Sequence, residues 1–258
     1  MTERPEAPVW PSRPPPVGPV VVTPNGEFDR RAAERVAAEL HELARRRTGS
    51  ISVALAGGNT PRPVYEALAE MQDVAWARLE FFFGDERSVP PDDARSNYRM
   101  ARESLLERVS IPASRIHRMR AEDPAADLAA REYASALPPA LDLLLLGIGT
   151  DGHTASLFPG GDALHARRLV VASTAPEPPS ARLTVTPPVL AAARRIVVLA
   201  SGSAKADAVF RALTAPWNPE DCPAQLARHG LWVLDVASAS ALPRRVRRSP
   251  DAAREDST

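Results

Sequence analysis

One stretch of the chain indicates the fold: Leu141-Asp142-Leu143-Leu144-Leu145-Leu146-Gly147-Ile148-Gly149-Thr150-Asp151-Gly152-His153. Its first six residues are apolar apart from Asp142, a composition typical of a strand covered on both faces of a parallel sheet. The segment that follows is rich in glycine and ends in a histidine. Loops of this kind, at the carboxyl ends of buried strands, are where open α/β folds bind ligands. We therefore predict an α/β fold whose ligand site includes His153.

Apolar runs alternate with helical patterns on both sides of this stretch. Strands are predicted at Val20–Val22, Ile51–Ala56, Leu79–Phe83, Ile116–Met119, Leu141–Leu146, Leu169–Ala172, Ile196–Ala200 and Leu231–Leu234. Helices are predicted at Asp29–Arg47, Pro61–Met71, Asn97–Val109, Pro124–Leu137, Pro188–Ala193, Ala204–Leu213 and Ser238–Leu242. This alternation predicts a doubly wound fold with a mainly parallel sheet flanked by helices. No internal repeat and no linker interrupts it, so residues 20–243 are predicted to form a single domain.

The two ends of the chain differ from this region in composition. Residues 1–19 are rich in proline and are predicted to be a disordered N-terminal extension. Residues 244–258 are charged and nearly free of apolar side chains, so they are predicted to be a mobile tail.

Charge and cysteine content exclude several classes of function. The formal net charge is zero, so no overall basic field attracts nucleic acid or an anionic membrane, and any anion site must be local. Cys222 is the single cysteine, which predicts a reducing compartment. No apolar run approaches the roughly 20 residues needed to cross a bilayer, and residues 1–19 lack the apolar core of a secretory signal. A cytoplasmic protein without nucleic-acid or membrane partners is expected by elimination.

Polar segments that contain glycine follow four of the predicted strands. They are Gly57–Pro61, Gly84–Arg87, Gly147–His153 and Ser201–Lys205. If these strands are parallel, the four segments lie at the same edge of the sheet, where we expect a ligand cleft.

The first of these segments, Gly57-Gly58-Asn59-Thr60, runs directly into a predicted helix that starts at Pro61. Paired glycines let the backbone approach a ligand closely, and free N–H groups at a helix start attract an anion. The alternative is a tight turn in which Thr60 only caps the helix. The spacing excludes a P-loop, because no Gly-Lys-Ser/Thr follows, and it does not match the dinucleotide-binding fingerprint.

Two cationic residues are candidates for holding a phosphate. Lys205 is the single lysine among 32 basic residues, and it follows a Ser-Gly-Ser turn, where an ammonium group can bind phosphate as a point charge. Arg182 could supply a second, bidentate contact. The alternative for both is an ordinary surface charge.

His153 is the candidate general base, because an imidazole titrates near neutral pH and can accept a proton from water. Asp151 or Asp85 could orient the ring and stabilise its charged form. A structural histidine and a metal ligand are the alternatives. Asp151 and His153 would offer two metal ligands, but no third is evident at a recognisable spacing, so no metal is expected.

The triplet Asp85-Glu86-Arg87 follows an apolar run of three phenylalanines. It could form a local ion cluster or take part in catalysis, and its position after a buried strand argues against an exposed surface. Arg87 is suited to stabilise an oxyanion or to hold a carboxylate product.

Taken together, these motifs resemble those of the 6-phosphogluconolactonase family. The matching segments are Gly57–Pro61, Gly84–Pro90, Ser96–Met100, Gly147–Pro159, Arg182–Thr184 and Lys205. They extend in order over roughly residues 20–242, and the stretch from Asp151 to Pro159 is the most specific. The resemblance implies a Rossmann-like fold shared with glucosamine-6-phosphate deaminases. It also implies hydrolysis of 6-phospho-D-glucono-1,5-lactone to 6-phospho-D-gluconate, the second step of the oxidative pentose phosphate pathway, without a metal or cofactor.

The resemblance also implies roles for individual residues. His153 matches the family's catalytic base, and Arg87 matches its active-site arginine. Arg182 and Lys205 match positions that hold the sugar phosphate, with backbone contacts from Gly58–Thr60. Within that loop, asparagine at position 59 stands where serine is frequent, which removes one hydroxyl.

Two other functions occur on related folds: a sugar-phosphate isomerase or deaminase, and a non-catalytic sugar-phosphate sensor. After Asp-Gly-His the deaminases typically continue with Ile-Ala-Phe-Asn-Glu-Pro, whose glutamate assists ring opening, whereas Thr154–Pro159 has no carboxylate here. A sensor would need a DNA-binding module, for which the terminal segments are unsuited. The expected partner is therefore a small phosphorylated sugar lactone, and the protein is expected to be a monomer or a weak homodimer.

Overall fold

The computed structural model describes residues 9–247. Within them the strands are β1 (Val20–Thr23), β2 (Ile51–Leu55), β3 (Leu79–Phe83), β4 (Asp85–Arg87), β5 (Leu143–Gly147), β6 (Val170–Thr174), β7 (Ala181–Val185), β8 (Ile196–Ala200) and β9 (Leu231–Asp235). The α-helices are α1 (Phe28–Arg46), α2 (Pro61–Ala69), α3 (Asn97–Ala101), α4 (Ala126–Ala136), α5 (Pro187–Ala192), α6 (Ala206–Thr214) and α7 (Arg244–Arg247). Helix α3 continues as a π-helical segment, Arg102–Leu106.

The main sheet has six parallel strands in the order β1-β9-β8-β5-β2-β3. All residues of β2 and β8 are buried, as expected for strands covered on both faces. The chain runs outward from β2 to β3 and then returns to β5 on the other side of β2, so the winding reverses between β2 and β5. The prediction of a single α/β domain with a mainly parallel sheet flanked by helices is confirmed.

Asp142, the one polar residue in the predicted Leu141–Leu146 strand, explains why β5 begins at Leu143, two residues after the predicted start. Its carboxylate is buried and accepts hydrogen bonds from the backbone N–H of Ser52 (3.0 Å) and from the Ser52 hydroxyl (3.1 Å). It also forms ion pairs with Arg47 (3.0 Å) and Arg194 (3.2 Å). These contacts link β2 and β5 at the edge of the sheet opposite the predicted loops.

A second, antiparallel sheet of three strands, in the order β4-β7-β6, was not predicted. Strand β4 follows β3 after a single glycine, Gly84, whose carbonyl accepts a hydrogen bond from Val185 of β7 (2.9 Å). The chain therefore passes directly from the main sheet into the small one. This passage places the residues of β4 and β7 above the carboxyl edge of the main sheet.

Two predicted elements are not formed, and one predicted helix begins later than expected, each for a local reason. The predicted strand Ile116–Met119 pairs with β3 only through a bridge between Ile116 and Phe81. The predicted helix Ser238–Leu242 is a turn, because Asp235 Oδ1 accepts a hydrogen bond from Ser238 N (2.7 Å) and the Ser238 hydroxyl donates to Ala200 O (2.9 Å). Such local side-chain bonds compete with helix formation. Helix α4 begins two residues after Pro124 for a related reason, since Asp123 Oδ1 accepts a bond from the N–H of residue 125 (2.9 Å).

The terminal segments contact the domain where they are described. The indole of Trp217 donates a hydrogen bond to Pro11 O (3.0 Å), and Gly18 N donates one to Arg228 O (2.9 Å). Residues 244–247 form the short helix α7. Residues 1–8 and 248–258 lie outside the described residues, and the predicted domain boundaries stay predictions.

Candidate active site

The four loops predicted to share one sheet edge meet there around a cleft, at the point where the winding reverses. The cleft has two adjoining cavities that share Asp85, Arg87, His153 and Ala155. The first cavity is also lined by the Gly57–Thr60 loop, Asn97, Gly147–Gly149 and Lys205. The second is also lined by Thr150, Asp151, Ser156, Phe158, Ala175–Pro178 and Arg182. All ten residues predicted for the site lie on this cleft.

His153 is partly exposed and is held by Asp151. The Nδ1 atom of His153 lies 2.7 Å from Asp151 Oδ1, and the same oxygen accepts the backbone N–H of His153 (3.1 Å). Burial raises the pKa of Asp151, but the hydrogen bonds from His153 outweigh it and the net shift is downward. An ionised carboxylate only accepts hydrogen bonds, so Nδ1 carries a proton, and in the neutral form of the imidazole the lone pair of Nε2 is left to accept another.

Gly149 makes room for this pair. A β-carbon added at Gly149 would lie 2.1 Å from His153 Nδ1 and 2.4 Å from Asp151 Oδ1. The loop is closed by a hydrogen bond from Gly149 N to His153 O (2.8 Å), and Ala155, two residues later, has a positive φ of 49°. A non-glycine residue in this region is uncommon and marks local strain, which is often found at functional sites.

The residues Asp85, Glu86 and Arg87 form strand β4, and their side chains point alternately to its two faces. Asp85 and Arg87 face the cleft, whereas Glu86 points the opposite way and is buried. The carboxylate of Glu86 accepts backbone N–H groups from Arg87 (2.8 Å), Asn97 (2.7 Å) and Tyr98 (2.8 Å), and the hydroxyl of residue 96 (3.0 Å). Burial raises the pKa of Glu86 and these donors oppose the rise. Glu86 therefore anchors the start of α3 rather than facing a ligand.

Asp85, the alternative partner predicted for His153, is held by other groups. Asp85 Oδ2 accepts a hydrogen bond from the Ser156 hydroxyl (2.6 Å), and Asp85 Oδ1 accepts one from Asn97 Nδ2 (3.2 Å). Ser156 is itself fixed, because its N–H donates to the Thr184 hydroxyl of β7 (3.1 Å). The sequence left Asp85 and Asp151 as alternative partners of His153, and in the structure it is Asp151 that contacts the imidazole. Ser156 and Asn97 were not among the predicted site residues, although both lie within the segments that carry the family resemblance.

The Gly57–Thr60 loop and Lys205 line the same cavity. Gly58 has a φ of 93°, which glycine adopts without strain. The predicted capping bond from the Thr60 side chain is not formed, and Pro61 occupies the start of α2. Lys205 is half-buried, and burial lowers its pKa against an opposing effect of Asp151.

Arg182 lies in the second cavity, across the strand pair from Arg87. The two arginines are register partners of antiparallel β4 and β7, so their side chains leave the same face. Burial and the charge of Arg87 lower the pKa of Arg182. Its buried Nη1 atom has no hydrogen-bond partner among the described residues. Arg182 and Lys205, which were expected to hold the phosphate together, therefore line different cavities, and these two cavities meet at His153.

Residues 9–247 contain no group of three or more His, Cys, Asp or Glu side chains placed to hold a metal ion. No helix in the same range is long and apolar enough to cross a membrane.

The family model described as "Glucosamine-6-phosphate isomerases/6-phosphogluconolactonase" matches residues 25–234. The chain belongs to this family. Among curated members, a 6-phosphogluconolactonase of Synechocystis is 41% identical over 204 residues, which cover 72% of this chain and 82% of the relative. A human 6-phosphogluconolactonase is 38% identical over 209 residues, covering 74% and 80%.

Solved structures agree with the family assignment. The crystal structure of 6-phosphogluconolactonase from Thermotoga maritima superposes with a TM-score of 0.73 and 30% identity, covering 84% of this chain and 99% of that one. The glucosamine-6-phosphate isomerase/6-phosphogluconolactonase family thus matches this chain in sequence and in fold.

Proposed function

We propose that the protein hydrolyses 6-phospho-D-glucono-1,5-lactone to 6-phospho-D-gluconate. The observation that carries this proposal is the Asp151–His153 pair, with its 2.7 Å contact, in a cleft that also holds Arg87 and Lys205. The pair supplies a base with a free Nε2, and the cations supply sites for an anionic substrate. The curated relatives named above are 6-phosphogluconolactonases.

Attack of water on the lactone carbonyl begins the proposed reaction. His153 Nε2 takes a proton from the water as its oxygen bonds to C1, and Asp151 stabilises the imidazolium that forms. The carbonyl oxygen becomes an oxyanion, which the guanidinium of Arg87 stabilises. The bond from C1 to the ring oxygen then breaks, and the protonated His153 gives its proton to that oxygen. The new carboxylic acid ionises at neutral pH, so each turnover releases one proton.

The phosphate is proposed to bind at the Lys205 end of the cleft, where the glycine loop offers backbone N–H groups beside the ammonium group. Arg182 adds a further cation on the far side of Arg87. The two cationic ends can be told apart with inorganic phosphate as a competitive inhibitor. Lys205→Met should abolish that inhibition if the lysine binds the phosphate, whereas Arg182→Met should retain it.

The decisive assay makes the lactone in situ and follows acid release above the spontaneous rate. His153→Ala should lower kcat by about 10²–10⁴, the usual contribution of a general base. His165→Ala is the matched control, because His165 is exposed and pairs with Glu220 (3.2 Å) away from the cleft. Wild-type activity in the His153 variant would contradict the mechanism.

A second assay tests the alternative chemistry of the family. Ammonia release from glucosamine 6-phosphate would favour the deaminase, and binding of sugar phosphates without turnover would favour the sensor. The stretch Thr154–Pro159, next to His153, carries no carboxylate, so neither ammonia release nor binding alone is the expected result. The cytoplasmic location and the monomeric or weakly dimeric state remain predictions from the sequence.

A further inference from the structure

The loop that carries Lys205 is tied to a neighbouring strand by the carboxylate of Asp235. This residue ends β9, which pairs in the sheet with β8, the strand that leads into the loop. Asp235 Oδ2 accepts a hydrogen bond from the Ser201 hydroxyl (2.9 Å) and another from the backbone N–H of Gly202 (2.9 Å). Two hydrogen bonds to one oxygen therefore join the first two residues of the loop to the end of β9.

The carboxylate of Asp235 is itself fixed on its other side. Its Oδ1 atom accepts the backbone N–H of Ser238 (2.7 Å). Burial raises the pKa of Asp235, but the hydrogen bonds donated by Ser238, Gly202 and Ser201 outweigh it, and the net shift is downward. An ionised carboxylate only accepts hydrogen bonds, and all of these partners are donors. Asp235 is therefore a rigid anchor for the loop at neutral pH.

Gly202 passes this constraint on to Lys205. Its φ of 93° and ψ of 147° lie in a region that is essentially restricted to glycine. Glycine has more conformational freedom than any other residue, so a loop centred on it takes many shapes unless it is held. The N–H of Gly202 is bound by Asp235, and its carbonyl accepts the N–H of Lys205 (3.0 Å). The backbone position of Lys205 thus depends on the hydrogen bond between Gly202 and Asp235.

We infer that Asp235 is a positioning residue that holds Lys205 where its ammonium group can bind the substrate phosphate. This inference rests on the proposed function. Lys205 lines the first cavity together with the Gly57–Thr60 loop, whereas Asp235 lines neither cavity of the cleft. Asp235 therefore acts on the phosphate end of the cleft through Lys205, without touching the substrate.

The first test separates binding from turnover in Asp235→Ala. With Lys205 no longer held in place, KM for the lactone should rise about tenfold, as expected when a contact to a charged group is weakened. The Kd of inorganic phosphate, measured by titration calorimetry, should rise by a similar factor, while kcat stays close to the wild-type value. A merely structural role would lower the active fraction, and so the apparent kcat, without changing KM or Kd.

The second test asks whether the effect passes through Lys205. In a Lys205→Met background, Asp235→Ala should cause no further rise in KM, because two changes that act on one contact are not additive. The inference is overturned if Asp235→Ala raises KM equally in both backgrounds. It is also overturned if the folded Asp235→Ala protein keeps the wild-type KM and Kd.

Asp123→Ala is the matched control. Asp123 Oδ1 likewise accepts a backbone N–H, that of Ala125 (2.9 Å), but Asp123 lines neither cavity of the cleft. This variant should keep the wild-type KM and Kd. If Asp235→Ala does not fold, Asp235→Asn keeps the size of the side chain but has only one acceptor oxygen, and it should raise KM and Kd in the same direction. Unchanged values there overturn the inference as well.

Failure of the inference can be distinguished from failure of the proposed function. A wild-type protein that does not hydrolyse the lactone would refute the proposed function. Calorimetry with inorganic phosphate needs no turnover, so the comparison of wild type, Asp235→Ala and Asp123→Ala would still decide whether Asp235 controls anion binding at Lys205.

Discussion

Replacing Gly149 by alanine should disable the proposed base without removing it. Gly149 does not occupy the left-handed region of φ, so its backbone conformation is open to alanine. The new β-carbon, however, would lie 2.1 Å from His153 Nδ1 and 2.4 Å from Asp151 Oδ1. Neither neighbour is the end of a long flexible chain, and both belong to the same hydrogen-bonded pair. The pair has to move or break.

The size of the effect follows from the geometry. Ordinary van der Waals contact starts at 3.4 Å, so the imidazole must retreat by about 1.3 Å, the difference between 3.4 and 2.1 Å. A misplacement of about 1 Å can cost roughly 10²-fold in rate. Complete loss of the base would cost up to about 10⁴-fold. We therefore expect kcat to fall by about 10²–10⁴ in Gly149→Ala, with KM changed much less, because Lys205 is untouched.

The lactone assay measures this directly, and circular dichroism shows whether the variant is folded. Gly84→Ala is the matched control, since a β-carbon there would meet its nearest neighbours, Leu55 O, Leu144 and Leu146, at 3.7–4.0 Å. It lies at the same edge of the sheet and should retain near wild-type kcat. A folded Gly149→Ala protein with wild-type kcat would refute the role given to the Asp151–His153 geometry.

Three further predictions concern charge and burial. Because the pKa of Lys205 is lowered, its charge is lost at a lower pH than that of a free lysine, and the Kd of 6-phosphogluconate should rise as pH increases through that lowered pKa. Lys205→Arg should abolish this rise, and a wild-type Kd that is constant through the alkaline range would contradict the phosphate role. Asp142→Ala should lower the free energy of unfolding by about 1–3 kcal/mol in urea titrations, because it removes the acceptor of the buried Ser52 N–H and hydroxyl groups. Asp127→Ala should leave the free energy of unfolding nearly unchanged, because the carboxylate of Asp127 is 60% exposed. Equal losses of stability in the Asp127 and Asp142 variants would contradict this reasoning. Cys222 is 3% exposed and burial raises the pKa of its thiol, so a thiol reagent should label the protein only on unfolding.

Much of the main sheet could be predicted because its signals are local. Fully apolar strands such as β5 and β8 need no knowledge of their neighbours, and parallel strands bring their carboxyl ends together. The position of His153 at this edge follows from its place directly after β5. The pairing of His153 with Asp151 could also be predicted from the sequence, as one of two alternatives, because the two residues are only two positions apart.

The second sheet and the surroundings of Asp85 could not be predicted in this way. Strand β4 has three residues, too few for an alternating pattern to stand out. Ser156, which binds Asp85, is 71 positions away from it in the sequence. The assignment of Glu86 to the start of α3 depends on contacts with residues 96–98, which only the folded chain brings near. These features come from tertiary packing, for which a single sequence carries no short-range signal.

The charges of the cleft explain how a chain with no net charge can hold an anionic substrate. Of the three carboxylates on the cleft, Asp85 accepts a hydrogen bond from Ser156 and Asp151 contacts His153, while Glu177 lines the second cavity. The cations there are left without ion-pair partners, since Arg87, Arg182 and Lys205 take part in no salt bridge within residues 9–247. Partial burial of unpaired cations is unfavourable, and for Arg182 and Lys205 it appears as lowered pKa values. A ligand carrying a phosphate at one end and a developing negative charge at the other would relieve this cost at both ends. The cleft is therefore suited to an anion because its cations have no ion-pair partner, not because basic residues are in excess there.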